Sequence, residues 1–341
     1  MERKRLPYKI SLIVFLWLVL LSCGKEDFKV KNIGDSNDNL FTFVKEYKIP
    51  GNKELALASQ ITTSDDKKFY FSNLFARSIL FCKRPFNEYK KIGRWGKGPA
   101  EYISPIYIQS YKNTIYFSDL RNNFIKSINI NSKSYIDSSY YVTTKMGARR
   151  FCVDKDYIYV LNDIDALLKI YNRKNGELKQ KLFEQNLFSN KNKFNKINNS
   201  TLEGGIVTDS LKNIFLVPPA PFIIYHVKYD GENFILKQKW DLTTLPYVKN
   251  LTQKKFKRDI VSKISIVLML ALVGKGHQHL IVHILNGHTG YYYILSKSGK
   301  LIDIYQSYYY TLLGSYKENV FFRYSNKDKE LFIKEYKYND R

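Results

Sequence analysis

The chain has 341 residues, long for one ordinary domain but within the reach of β architectures, and its 44% hydrophobic content is enough for a real core. Aromatic residues are abundant, with 28 Tyr and 22 Phe, which favours strands. The formal charge of +24 would suit acidic glycans or lipopolysaccharide phosphates. However, the Lys residues are spread along the chain, and Lys, Asn, Ile, Tyr and Phe are all over-used, as AT-rich codons dictate, so the charge reads as compositional.

Residues 1–22 read as a signal peptide. Arg3, Lys4, Arg5 and Lys9 form a basic n-region, and Ile10 to Leu21 is an apolar run broken only by Ser11. A run of this length falls short of the about 20 residues that a membrane-spanning helix needs. It ends in Leu20-Leu21-Ser22-Cys23, which resembles the lipobox of bacterial lipoproteins. The resemblance implies that Cys23 is lipidated, with acyl chains such as palmitate, and that the bilayer is a partner through this anchor. Two or more acyl chains hold a protein stably, at about 0.8 kcal/mol per buried CH₂. Gly24-Lys25-Glu26-Asp27 resembles the surface-export signal of Bacteroidota lipoproteins. The expected location is the outer membrane facing the cell exterior, with the periplasmic face as the alternative. Nucleic acid is not expected as a partner of an exported chain. Residues 23–40 read as the lipidated Cys and a polar, flexible tether.

From residue 41 onward one pattern recurs: an apolar strand, a polar turn, then a short aromatic or β-branched strand. The second strands centre on Tyr70, Tyr116, Tyr159, Phe215, Ile281 and Phe321, spaced 40 to 66 residues apart. Six such copies predict a six-bladed β-propeller over residues 41–341, all-β, with four-stranded antiparallel blades. A third strand follows each hairpin, at Ser78–Phe81, Phe124–Ile130, Leu167–Tyr171, Ile223–Tyr229, Gly290–Leu295 and Glu330–Tyr336. Asn175-Gly176, Asp230-Gly231 and Ser298-Gly299 mark turns into fourth strands. The last copy ends with no room for its own fourth strand. FTFVKEY (residues 41–47) alternates apolar with polar residues and is expected to supply that strand, closing the ring.

Two wide spacings mark insertions. Residues 186–205 are polar and read as a loop. Leu242 to Ile264 places Phe256, Ile260, Val261 and Ile264 at helical spacing, with Lys254, Lys255, Lys257 and Arg258 outward, and predicts an amphipathic surface helix. Ser265 to Val273 is apolar but too short to span a membrane, and reads as the innermost strand of blade five. Cys82 and Cys152 fall in different blades at different depths, so two free, mostly buried thiols are expected.

The stretch Lys91 to Tyr102, KIGRWGKGPAEY, carries Gly96, Gly98, Pro99, Glu101 and Tyr102. It resembles the GxGPxEY segment of the six-bladed β-propeller lipoproteins common in Bacteroidota, which are NHL-like in shape. Ala100 departs from the Gly often found there. The resemblance implies a scaffold and an address; the family's biochemical role is largely undefined. Physically, the segment reads as a crossing from the rim of blade one to the centre of blade two, with Glu101 capping nearby amides.

Three sets of residues are candidates for chemistry. His277, His279 and His283, with His288 close by, have strand spacing that would suit zinc or copper, but no acid or Cys joins them nearby, so no metal or other cofactor is assigned. Arg149 and Arg150 precede the innermost strand of blade three and are expected near the central channel, contacting an acidic sugar or carboxylate. Asp65, Asp119, Asn162, Glu203 and Asp209 are available to a catalytic site, though several sit in turns where Asp and Asn are expected. No catalytic residue is assigned. The reading is a ligand-binding or protein-interaction scaffold, with a glycan, a peptide or an outer-membrane protein as its partner. The alternative is an extracellular metal-dependent hydrolase, lactonase or lyase working in the central channel.

Overall fold

The computed structural model describes residues 30–33, 40–49, 60–63, 68–73, 77–86, 88–98, 101–119, 121, 124–130, 141–143, 150–163, 166–184, 204–218, 223–248, 266–286, 289–308, 310–325 and 330–340. Residues 1–22, read as a signal peptide, Cys23, the loop expected at 186–205 (save Gly204 and Gly205) and the helix expected from Phe256 to Ile264 lie outside the described residues.

Two N-terminal strands, β1 (Lys31–Asn32) and β2 (Phe41–Lys48), precede the first blade. Blade one is β3 (Gln60–Thr63), β4 (Lys68–Asn73), β5 (Ser78–Lys83) and β6 (Tyr89–Ile92). A short ladder of β7 (Arg94–Trp95) and β8 (Glu101–Tyr102) follows it. Blade two is β9 (Pro105–Tyr111), β10 (Thr114–Asp119), β11 (Phe124–Asn129) and β12 (Tyr141–Thr143). Blade three is β13 (Phe151–Val153), β14 (Tyr157–Asp163), β15 (Ala166–Asn172) and β16 (Leu178–Glu184). Blade four is β17 (Gly205–Thr208), β18 (Asn213–Val217), β19 (Ile223–Tyr229) and β20 (Phe234–Asp241). Blade five is β21 (Ile266–Val273), β22 (His279–Asn286), β23 (Thr289–Ser296) and β24 (Leu301–Tyr308). Blade six is β25 (Tyr310–Tyr316), β26 (Asn319–Ser325) and β27 (Leu331–Tyr338), completed by β2. The fold is a six-bladed β-propeller.

Strands follow from the alternation and from the aromatic and β-branched residues, and the turns follow from glycine. Gly176, Gly231 and Gly299 carry the positive φ angles of the turns into the fourth strands, while Asn175 keeps a negative φ. The innermost strands touch in a closed circuit, β3 to β9 to β13 to β17 to β21 to β25 and back to β3. Apolar side chains between the blades form six clusters, each straddling one blade–blade interface. Blades four and five share Phe215, Val217, Leu272 and Val282, for example, and blades two and three share Ile106, Ile125, Ile158 and Val160. Each blade is therefore apolar on both faces, and only a closed ring hides all six interfaces from water.

Closure comes from β2, which pairs antiparallel with β27 from Phe41–Tyr338 to Lys48–Phe332. Phe41 packs edge-on against Tyr305 at 5.1 Å, and Phe69 of blade one meets Phe321 of blade six at 5.5 Å. The folded body also reaches further back than the sequence indicates. β1 adds in parallel to the outer strand β24, Lys31 pairs with Asp303, and Ile33 and Leu40 are buried among blades five and six. Val30, Ile33 and Leu40, apolar residues among mostly polar neighbours, supply the burial that draws this segment onto the ring. Cys82 and Cys152 are free and buried, and burial raises both thiol pKa values, that of Cys82 to about 12.

Candidate functional site in the central channel

The six inner strands enclose a cavity of about 180 Å³ on the ring axis, and every blade lines it. Blade one contributes Gln60 and Thr62, blade two Tyr107 and Gln109, and blade three Arg150 and Cys152. Blade four contributes Thr208, blade five Ala271 and His277, and blade six Gly314 and Ser315. Gly314 matters to this packing: a Cβ there would stand 2.9 Å from the Ile61 carbonyl oxygen of the neighbouring inner strand.

Some of these polar groups are committed to the protein. Ser110 N–H donates to Thr62 Oγ1 at 3.0 Å, and Ser315 Oγ donates to the Leu272 carbonyl at 2.9 Å. Ile108 N–H donates to Gln60 Oε1 at 3.1 Å, which fixes the orientation of that amide and leaves its Nε2 as a donor. The Arg150 guanidinium lies 4.8 Å from the centre of the Tyr107 ring, so blade two holds the cation of blade three. The Arg150 carbonyl accepts from Leu161 N–H at 2.9 Å.

His277 stands at one mouth of the channel. It sits in a turn with φ of 58°, and its N–H donates to the Gly274 carbonyl at 2.9 Å. Its Nδ1 is sealed from water without a hydrogen bond. Burial lowers its pKa; nearby Asp209 opposes this and Lys297 reinforces it. Asp209 itself is saturated: it accepts from Leu211 N–H and Asn213 N–H at 2.9 Å, from Asn213 Nδ2 at 2.9 Å and from Lys297 Nζ at 2.7 Å. Burial works to raise its pKa, but those bonds hold it below the ordinary carboxylate value.

The structure places the residues singled out in the sequence in four settings. Arg150 lines the channel, and Arg149 lies outside the described residues. The histidines part company. His277 is at the channel mouth, His279 Nδ1 is 3.6 Å from Asp340 Oδ1, and His283 is fully buried and stacked on Tyr292 at 4.4 Å. His288 lies outside the described residues. The motif residues form the crossing from blade one to blade two. Glu101 accepts from Gly98 N–H and Arg94 Nε, both at 2.7 Å. Gly96 has φ of 152°, and a Cβ there would stand 2.2 Å from Glu101 Oε2. Tyr102 is buried and donates to the Ile92 carbonyl at 2.6 Å, while Pro99 lies outside the described residues.

Of the candidate acids, Asp119 and Asp209 are described, and neither lines the channel. Asp119 is fully buried and accepts from Ile103 N–H and Ser104 N–H at 3.0 Å. Asn162 belongs to β14, and Asp65 and Glu203 lie outside the described residues. Among the described residues no Asp or Glu lines the cavity, and no three His, Cys, Asp or Glu side chains stand together as a metal site. Sequence reasoning missed Gln60, Gln109 and Thr208. The available signal was the polar residue that the inner strands of blades one, two and four carry beside their apolar ones, Gln60 at the start of β3, Gln109 within β9 and Thr208 at the end of β17.

No family model and no curated protein matches the chain. Its likeness is to solved propeller structures. A protein of Bacteroides fragilis named as exported aligns with a TM-score of 0.58 at 11% identity, covering 91% of this chain and 98% of the other. A luciferin-regenerating enzyme aligns with a TM-score of 0.53 at 9% identity, covering 86% and 95%. The PQQ-bound aldose sugar dehydrogenase of Streptomyces coelicolor aligns with a TM-score of 0.50 at 9% identity, covering 88% and 98%. At these identities the likeness is one of fold, and that fold serves an enzyme as readily as a binding module.

Proposed function

We propose that this chain is a lipid-anchored, cell-surface propeller of the outer membrane that binds a ligand in its central channel. The observation that carries the binding reading is the channel itself. All six blades meet there around a cavity lined by amide, hydroxyl, guanidinium and imidazole groups, with no carboxylate among its described residues. Such a lining offers hydrogen bonds to a polar ligand but lacks the acidic donors that a hard divalent cation takes. It therefore favours a binding module over a metal-dependent hydrolase. The lipobox-like Leu20 to Cys23 supports the anchor, and the exported relative in shape from Bacteroides fragilis agrees with a place outside the cytoplasm.

The test is a thermal-shift screen of the chain from Lys25 to Arg341, which contains every described strand, against glycans, peptides and divalent metals. A ligand that binds only the folded ring raises the melting temperature by mass action. Gln109→Trp fills the channel and serves as the control. Shifts that vanish in Gln109→Trp support the proposal. A shift with Ca²⁺ or Zn²⁺ in place of organic ligands supports the hydrolase alternative.

A further inference from the structure

Successive hairpins of an antiparallel blade alternate between its two ends, so the turns from first to second strand share one end of the ring with the turns from third to fourth. Contacts link these turns from blade to blade. Ser110 Oγ donates to the Thr63 carbonyl at 2.7 Å, and the Arg173 guanidinium lies 4.8 Å from the centre of the Tyr111 ring. Lys212 pairs with Asp156 at 2.8 Å, Lys297 with Asp209 at 2.7 Å, and Lys275 N–H donates to Asp340 at 2.6 Å. The first turns of blades two to six each carry a lysine: Lys112, Lys155, Lys212, Lys275 and Lys317. All but Lys212 are exposed. The acids of the same turns are engaged: Asp154 accepts from Asp156 N–H, Tyr157 N–H and the Tyr159 hydroxyl, Asp156 and Asp209 pair as above, and Glu318 pairs with Lys337. In the turns into the fourth strands of blades three to five, Glu177, Asp230 and Glu232 are outnumbered by Arg173, Lys174, Lys297 and Lys300. One large apolar side chain stands out among these charges. Leu211, in the first turn of blade four, is 70% exposed, and its N–H donates to Asp209 Oδ1 at 2.9 Å, which fixes the turn that presents it.

The N-terminal segment arrives from the same end. β1 pairs in parallel with β24, and β24 begins at Leu301, just after the turn that holds Lys297 and Lys300. Cys23 lies seven residues before Val30, which packs against the cluster between blades four and five. Seven residues reach at most about 25 Å. We propose that this end of the ring lies on the bilayer that holds the anchor, with Lys112, Lys155 and Lys275 on phosphate-bearing headgroups and Leu211 entering the interface. This rests on the lipid-anchored reading. Lysines near an anionic surface and a buried apolar side chain add their attraction to that of the acyl chains. The channel mouth at His277 lies in the turn between β21 and β22 and so faces the membrane. Ligand reaches the channel from the opposite mouth, where Arg150 enters β13.

The experiment holds the Lys25 to Arg341 chain on vesicles through an N-terminal hexahistidine tag and a nickel-chelating lipid, so it reports the face whether or not Cys23 carries acyl chains. A polarity-sensitive fluorophore is attached at Ser210→Cys, beside Leu211, or at Arg77→Cys, in an exposed turn at the other end of blade one. Cys82 and Cys152 are buried, which protects them from the label. On phosphatidylcholine vesicles containing phosphatidylglycerol, a blue shift is expected at 210 and none at 77. Lys112→Gln, Lys155→Gln and Lys275→Gln together are expected to abolish the shift at 210. In the untagged chain, each lysine removed is expected to weaken partition onto vesicles of phosphatidylcholine and phosphatidylglycerol about fivefold. Leu211→Ser is expected to weaken it about tenfold. A shift at 77 in place of 210, silence at both positions, or a shift at 210 that persists in the triple variant would overturn the assignment of this face. Absence of palmitate label from the parent chain in cells would instead overturn the anchor.

Discussion

The Tyr47 hydroxyl donates to Glu335 Oε2 at 2.8 Å, joining residues 288 positions apart in the chain. Glu335 is fully buried, and its other oxygen accepts from Arg84 Nη2 and Asn319 Nδ2, both at 2.7 Å. One carboxylate thus ties the N-terminal strand β2, the last blade and the turn after β5 of blade one. Burial, reinforced by the hydrogen bond to Glu335, raises the Tyr47 pKa to about 12, so the phenol keeps its proton.

Breaking this clasp should loosen the ring where it closes. Glu335→Ala leaves the Tyr47 hydroxyl and the Asn319 amide without their acceptor, while the partly exposed Arg84 can turn to water, and should cost about 2–4 kcal/mol, whereas Tyr47→Phe should cost about 1–2 kcal/mol. Urea unfolding measures both. Equal and negligible losses would mean that closure rests on the aromatic packing of Phe41 and Phe69 alone.

The crossing between blades one and two should be just as specific. Tyr102→Phe removes a bond to the Ile92 carbonyl and leaves Ile79 N–H without the hydroxyl it meets at 3.3 Å. A loss of about 1–3 kcal/mol is expected in the same assay. Gly96→Ala should lower the melting temperature too, because its methyl group would displace Glu101 from Gly98 and Arg94.

Acid should unfold the ring through His283. Burial, and secondarily the nearby charge of Arg150, lowers its pKa to about 3, and neither ring nitrogen has a hydrogen bond. The unfolded chain binds a proton at His283 near pH 6.5 and the folded chain does not. Stability therefore falls as pH drops from about 6.5 toward 3, by up to about 1.4 kcal/mol per pH unit from this residue. His226, His277 and His279, also lowered by burial, add to the same limb. Melting curves at pH 7.5 and 5.0 should show a large drop in the parent chain and a smaller one in His283→Phe, which keeps the stack on Tyr292. An identical drop in both would remove His283 from the explanation.

The anchor is tested in cells. Cys23→Ser should abolish incorporation of radiolabelled palmitate and move the protein out of the membrane fraction. Label retained in Cys23→Ser would place the lipid elsewhere, and no label in the parent chain would deny it.

Much of the ring was legible because its signals are local. Tyr70, Tyr159 and Phe321 each sit in a short aromatic strand beyond a polar turn, and strand alternation needs only nearest neighbours. Residues 41–47 could be assigned to the last blade because the sixth copy ends three strands long. The addition of β1 was not legible, since Lys31–Asn32 is a two-residue polar pairing whose support comes from Asp303, far along the chain. The channel was legible only at Arg150, which stands at the entry to an inner strand. Gln60, Gln109 and Thr208 come from three different blades, and only ring closure sets them around one cavity. The histidines misled by spacing: the positive φ at His277 takes it out of the strand, so it and His279 do not share a face.

The most direct test of the central claim is a crystal structure of the Lys25 to Arg341 chain grown with whichever ligand raises its melting temperature and loses that effect in Gln109→Trp. The expected result is one ligand on the ring axis, among the residues of all six blades that line the cavity. A ligand bound on the outer strands, with the channel holding only water, would contradict it.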